Sequence, residues 1–251
     1  MRDHSRRTRS SRYEPIRTPR GIFAGNKSVK YGFIAIFFII LILQFYDRHN
    51  PKPLTGPIDD VFVRSPDRLA IIYGTGGEAP GELNNYVQRV AGLLGKAISH
   101  EIIIYPDDKV DEDLLKDYSL LLYGPVNTNQ VTSRFADYYP FQFVGRTVRI
   151  GAGLIDRENW RIVFAVPNPL NRQRYLLVYS GPTDSDVIGI NLLEHPNFVH
   201  HDTTDYVVAV GDSVVASGYF AKNNPERWLY VGGGKNEGQG TEAQGEKSVT
   251  K

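Results

Sequence analysis

From Tyr31 to Tyr46 the chain reads YGFIAIFFIILILQFY, an apolar run with no charged residue in it. Extended back through Val29 it holds about 18 residues, roughly 27 Å as a helix, close to the hydrocarbon thickness of a bilayer. The pattern predicts a single transmembrane helix over 29–46. Phe33, Phe37, Phe38, Leu41 and Phe45 would meet lipid, and Tyr31 and Tyr46 would anchor the two interfaces. Lys27, Lys30 and Arg48 are placed to snorkel to the headgroups.

Beyond this run the period changes repeatedly. Leu69 to Tyr73 is a short apolar run closed by Gly74, which suits a strand buried on both faces. Leu83, Tyr86, Val87, Val90, Ala91, Leu94, Ala97 and Ile98 fall at three- and four-residue steps and make one apolar helix face. Glu101 to Tyr105 reads as a second strand, Asp111 to Tyr118 as a short helix with acids at its positive end, and Ser119 to Tyr123 as a third strand. Three strand-helix units in succession predict a parallel sheet.

The second half has another character. Phe141 to Ile150 alternates about Gly145, Trp160 to Val166 and Arg174 to Ser180 read as strands around a Pro-Asn-Pro turn, and Asp184 to Glu194 reads as a helix capped by Thr183. Tyr206 to Val210 and Ser213 to Phe220 flank Gly211-Asp212 as a hairpin would. The predicted fold class is α/β: a three-layer, loosely flavodoxin-like sheet extended by antiparallel strands. Its expected divisions are a basic tail (1–28), the transmembrane helix (29–46), an extended linker carrying Pro51, Pro53, Pro57 and Pro66 (47–66), an exported α/β domain (67–232) and a disordered tail (233–251). No internal repeat is visible.

Charge adds an orientation. Arg2, Arg6, Arg7, Arg9, Arg12, Arg17, Arg20, Lys27 and Lys30 stand against Asp3 and Glu14, so the first 30 residues carry +7 while the whole chain carries +1. The positive-inside rule then keeps the N-terminus in the cytoplasm and exports the rest across an inner membrane. A cleaved secretory signal is the competing reading, but Asp47-Arg48-His49-Asn50-Pro51 offers no small-x-small site. Ser5-Arg6-Arg7 matches a twin-arginine signal only at those positions, since Arg9 and Ser10 stand where apolar residues belong. The tail could hold anionic lipid, at about 1 kcal/mol per base near the surface, or serve only to set topology. No folded motif or stacking platform accompanies it, so nucleic acid is not an expected partner.

There is no cysteine, which removes disulfides, thiolate metal sites and cysteine nucleophiles. The nucleophile elbow Gly-x-Ser-x-Gly is missing, and Gly211-Asp212-Ser213 is better read as a hairpin turn than as a serine-hydrolase signature. Gly74-Thr75-Gly76-Gly77 lies between a strand and a helix, where glycine loops hold phosphate, yet its spacing matches no nucleotide motif, and Glu78 and Glu82 would repel an anion. His195, His200, His201, Asp202 and Asp205 could ligate a metal, though at no helical spacing. Asn127, Asn129, Asn168, Asn171 and Arg174 form a candidate ligand or partner set if the carboxyl ends of the strands converge; turn chemistry is the alternative. Tyr138, Tyr139, Phe141, Tyr219, Phe220 and Trp228 could make a docking face or pack in the core. No cofactor or metal is expected.

Pro57-Ile58-Asp59-Asp60-Val61-Phe62, Leu121-Leu122-Tyr123-Gly124, Pro167-Asn168-Pro169-Leu170-Asn171, Arg174-Tyr175, Ser180-Gly181, Asp205-Tyr206-Val207-Val208 and Gly218-Tyr219-Phe220 with Trp228 follow in an order of their own. Together they resemble the non-catalytic α/β domain that accompanies bacterial exported hydrolases of the esterase and prolyl-oligopeptidase type. The resemblance covers most of 57–228, and no hydrolase domain accompanies it in this sequence. It implies a domain that works beside an enzyme. The expectation is a membrane-anchored, non-enzymatic accessory or scaffold subunit whose partners are the bilayer and other membrane protein subunits. A hydrolase-associated role and a small-ligand or nucleotide sensor are the alternatives.

Overall fold

A computed structural model describes residues 36–42, 53–190 and 204–231. The chain divides into two units, Met1–Pro51 and Lys52–Lys251. In the first, residues 36–42 are helical with Phe37, Phe38 and Leu41 exposed, while Tyr31, Phe33, Phe45 and Tyr46 lie outside the described residues. Among the described residues no helix is long and apolar enough to cross a membrane.

The second unit is built on a mixed sheet. β1 (Leu69–Tyr73), β2 (Ile103–Pro106) and β3 (Ser119–Tyr123) run parallel in the order β2-β1-β3. The helix Pro80–Ile98 joins β1 to β2 and presents Leu83, Tyr86, Val87, Val90, Ala91 and Leu94 as its buried face. The helix Glu112–Asp117 joins β2 to β3, its start capped by Asp111, whose Oδ1 accepts from the Leu114 N–H at 2.8 Å. Buried, β-rich Leu69-Ala70-Ile71-Ile72 and Leu120-Leu121-Leu122 explain why these strands occupy the middle of the sheet.

After β3 and the short helix Gln130–Arg134, a three-stranded antiparallel sheet follows: β4 (Gln142–Val144), β5 (Thr147–Ile150) and β6 (Gly153–Ile155). Its turns use Gly145 and Gly151 at φ +59° and +57°, conformations that glycine adopts without strain. β7 (Trp160–Asn168) and β8 (Asn171–Ser180) then form a long hairpin, and β9 (Tyr206–Val210) and β10 (Ser213–Gly218) a second one around Gly211-Asp212. β11 (Phe220–Ala221) pairs with β12 (Leu229–Tyr230). The main sheet has the order β10-β9-β7-β8-β3-β1-β2. The first three strands stand in the order β2-β1-β3, and the fourth beside them, β8, lies parallel to β3 but arrives from a hairpin rather than a helical crossover.

Register assigns the layers. Val163, Tyr179 and Tyr123 share one face, where Tyr123 stacks on Tyr179 at 4.3 Å and meets Tyr86 of the long helix at 5.8 Å. Phe164 and Tyr206 share the other, where Phe141 approaches both rings at 5.3 and 5.4 Å. Tyr139, Phe141, Phe220 and Trp228 are therefore core residues, and of the aromatic docking candidates only Tyr138 and Tyr219 are exposed.

One boundary differs from expectation. Leu54, Ile58 and Val61 belong to the hydrophobic core, and Asp60–Arg64 is a helical turn. The Ile58 N–H donates to the Thr204 carbonyl at 3.0 Å, and the Gly56 N–H donates to the Tyr175 hydroxyl at 3.0 Å. The folded body thus begins about a dozen residues before β1, inside the predicted linker: prolines mark breaks in periodicity but not whether the hydrophobes between them find a core. The predicted helix Asp184 to Glu194 is seen as Asp184–Gly189; residues 191–203 and the predicted tail 233–251 lie outside the described residues.

Candidate functional site

Open α/β sheets bind ligands beyond the carboxyl ends of their parallel strands, where the strand order reverses. Here that place lies between β1 and β3, and the loops that follow them are Gly74 to Ala79 and Gly124 to Asn129. Buried side chains tie these loops to one another. Asp107, after β2, accepts from the Thr75 N–H at 3.0 Å, the Thr75 hydroxyl at 2.7 Å and the Gln130 N–H at 2.7 Å. Asn129 donates to the Tyr123 carbonyl at 3.0 Å and accepts from the Thr132 N–H at 3.0 Å, which closes the end of β3 and caps the next helix.

The glycines are explained by the same closeness. A Cβ at Gly74 would lie 3.1 Å from Asn129 Cβ, one at Gly76 would lie 2.8 Å from the Thr128 carbonyl oxygen, and one at Gly77 would lie 2.1 Å from an Asp184 carboxylate oxygen. Asp184 follows β8 and is fully buried. Its Oδ2 accepts from the N–H of Ala79, which opens the long helix, at 2.8 Å. Its own N–H, at the start of the helix Asp184–Gly189, donates to Glu78 Oε1 at 3.0 Å. Two positive helix ends thus face each other, and each is satisfied by an acid from the other's segment. The position at which a phosphate would sit on this glycine loop holds the chain's own carboxylate.

Burial pushes the Asp184 carboxyl above its ordinary value; the Ala79 N–H opposes the shift and the Glu78 charge adds to it. The folded state therefore holds a proton more tightly than the unfolded chain just above the usual carboxylate range, and stability falls as pH rises through that window. Asp184→Asn keeps an acceptor for Ala79 and removes the ionisation. The fall in melting temperature between about pH 4 and about pH 7 should shrink in this variant, as thermal denaturation followed by circular dichroism would show.

The sequence-predicted set divides between two edges. Exposed Asn127 and buried Asn129 follow β3 at the carboxyl edge. Asn168 ends β7 and Asn171 begins β8, so the hairpin places both at the opposite edge, together with Arg174. There Asn168 donates to the Leu115 carbonyl at 2.7 Å and Asn171 to the Lys116 carbonyl at 2.8 Å, covering the last carbonyls of the helix Glu112–Asp117. Each also accepts locally, from the Leu170 and Gln173 N–H groups. The half-buried Arg174 guanidinium is pushed down by burial and by Arg68.

His195, His200, His201 and Asp202 lie outside the described residues, whereas Asp205 is fully buried and ion-paired with Lys222 at 2.8 Å, its Oδ2 also accepting from the Phe220 N–H at 2.9 Å. Among the described residues no group of three or more His, Cys, Asp or Glu could hold a metal ion.

Open cavities are found among the described residues. A polar cleft of about 730 Å³ is lined by Arg146, Asp156, Arg157, Glu158, Thr183 and Asp186. A more apolar groove of about 530 Å³ runs between β6 and β10, lined by Ile150, Leu154, Ile155, Val210, Val215 and Tyr230 among others. Among the described residues both flanking strands have a neighbour on one side only: β6 ends the small sheet and β10 ends the large one. A bulge between Val214 and Ala216 breaks the usual alternation, so that consecutive Val215 and Ala216 both line the groove. Val214 and Val215 are 55% and 51% exposed, and Leu154 is 53% exposed. Sequence reasoning missed this surface; its one local signal is an uncharged strand with two adjacent valines. Neither a family model nor a curated protein matches the chain.

Proposed function

We propose that this protein is a single-pass, membrane-anchored, non-enzymatic accessory subunit with a cytoplasmic N-terminus, whose exported domain docks on protein partners of a membrane complex through the groove between β6 and β10. The observation that carries this reading is an uncharged sheet edge, open among the described residues, beside a largely apolar groove that Asp156 and Arg157 border. Exposed edges with apolar side chains are a standing template for another strand, and unmodified ones aggregate or bind. The basic tail, the uncharged run 31–46 and the resemblance to a domain that works beside hydrolases support the setting. At the carboxyl edge, the chain's own Asp184, Glu78 and Asp107 supply the partners that a ligand would otherwise provide to these loops.

The test is capture of the tagged full chain from its own membranes in mild detergent. Val215→Lys should remove the co-purifying proteins while leaving the melting temperature within about 1 °C, because the side chain is half exposed. An unchanged set of associates, or none with either chain, would defeat the reading.

A further inference from the structure

We infer that Asp184 is a proton-held latch on the carboxyl edge of the sheet: protonated, it clamps the loop Gly74 to Ala79 onto the segment after β8, and once its proton passes to water the loop lifts away. This goes beyond the docking reading and does not depend on it. Asp184 is fully buried, and no cation pairs with it among the described residues. Its Oδ2 accepts from the Ala79 N–H at 2.8 Å, but Oδ1 is shut off from solvent and has no hydrogen-bond partner among the described residues. A charged carboxylate so placed gives up the hydration of one oxygen without replacement, whereas a proton on Oδ1 removes most of that cost.

The surrounding groups act in the same direction. Glu78, on the glycine loop, accepts from the Asp184 N–H at 3.0 Å, which sets a second carboxylate beside the first. The long helix adds the exposed Glu82 and the buried Tyr86 hydroxyl. On its own helix Asp186 is held by the Thr183 hydroxyl at 2.6 Å, and on β7 the cation Arg161 is turned to Asp212 at 3.5 Å. Burial and the Glu78 charge therefore both favour the protonated carboxyl, with only the Ala79 N–H opposing. The loop keeps water out. A Cβ at Gly77 would lie 2.1 and 2.4 Å from the two carboxylate oxygens, so the bare Gly77 backbone rests against them. Thr75 is tied to Asp107 through its N–H and its hydroxyl, which leaves Gly76 and Gly77 as the hinge. An ionised Asp184 regains hydration when Gly77 parts from it, and that movement uncovers the end of β1 and the start of the long helix.

The experiment is amide hydrogen exchange of the purified full chain in mild detergent, read by mass spectrometry on peptides covering 74–82 and 172–180. Exchange is followed from about pH 5 to about pH 8, the span above the ordinary carboxylate range, and corrected for the intrinsic rate at each pH. In the wild type, protection of 74–82 should fall at least about 10-fold over the series while that of 172–180, in β8, holds. In Asp184→Asn, which cannot ionise, the first peptide should show no such fall. Wild-type protection that does not change, an equal fall in Asp184→Asn, or a fall in β8 together with the loop overturns the inference. Should Asp184→Asn fail to fold, Glu78→Gln decides: it removes the neighbouring charge, so the midpoint of opening should move to lower pH, and a midpoint that stays in place overturns the latch.

Discussion

Adding one methyl group at Gly77 is expected to destabilise the domain by more than about 3 kcal/mol. The new Cβ would lie 2.1 and 2.4 Å from the two oxygens of the buried Asp184 carboxylate. It cannot be accommodated by rotating a surface group, because Asp184 is tied to Ala79 through its side chain and to Glu78 through its backbone. Overpacking typically costs about 1–3 kcal/mol, and displacing the carboxylate also removes its hydrogen bond from the Ala79 N–H at the start of the long helix, a cap worth about 1 kcal/mol. Gly81→Ala is the matched control: it is the second residue of the long helix, with nothing within 4 Å of its Cβ position, so alanine there should be neutral or stabilising. Urea unfolding of both variants, and of Gly77→Ala combined with Asp184→Ala, checks the argument. The double variant should recover part of the loss, a coupling that only direct contact between the two side chains produces. If Gly77→Ala unfolds at the same urea concentration as Gly81→Ala, the close approach is wrong.

Lys222→Met should cost about 3 kcal/mol, read as a drop of roughly 6–12 °C in melting temperature for a body of this size. Asp205 is fully buried, and Lys222 is its charged partner at 2.8 Å. Lys222 also donates to the Thr55 carbonyl and lies 4.6 Å over the Trp228 ring. Removing one partner of a buried pair leaves an uncompensated charge, typically a loss of about 3–5 kcal/mol; the lower figure applies because the lysine is a quarter exposed and water can reach the vacancy. Burial already pushes the Asp205 carboxyl up, with the Lys222 bond opposing. Without the lysine it rises further, so the variant should lose more stability than the wild type as pH climbs above the carboxylate range. A variant with the same melting temperature as the wild type at neutral pH would show that the pair does not hold the fold.

Local pattern announced what depends on neighbours in sequence. The apolar runs of β1 and β3, the helical face from Leu83 to Leu94, the acids that open the helix after β2, the cap at Thr183 and the Gly211-Asp212 hairpin all rest on periodicity, charge or turn chemistry within a few residues. Position in the sheet does not. β8 could have run antiparallel to β3, which would have put Asn171 and Arg174 near Asn127; that it lies parallel to β3 and returns from β7 as a hairpin depends on pairing across the whole domain. Glycines 74, 76 and 77 look like a ligand loop because a phosphate and a neighbouring carboxylate ask the same of a backbone, close approach without a side chain. Only the placement of Asp184, more than a hundred residues later, distinguishes the two. The open edge was illegible for a related reason: whether an uncharged strand is central or terminal is decided by where all the others go.

The strap from Leu54 to Arg64 is fastened by Tyr175, Thr204 and Lys222, groups made long after it during synthesis. A nascent chain that stops before Tyr175 has none of these groups to clasp its earliest residues, so such a truncated product would stay loose and open to proteases. Completion of the body therefore waits for the last strands, leaving the growing polypeptide threadable while it is still being made.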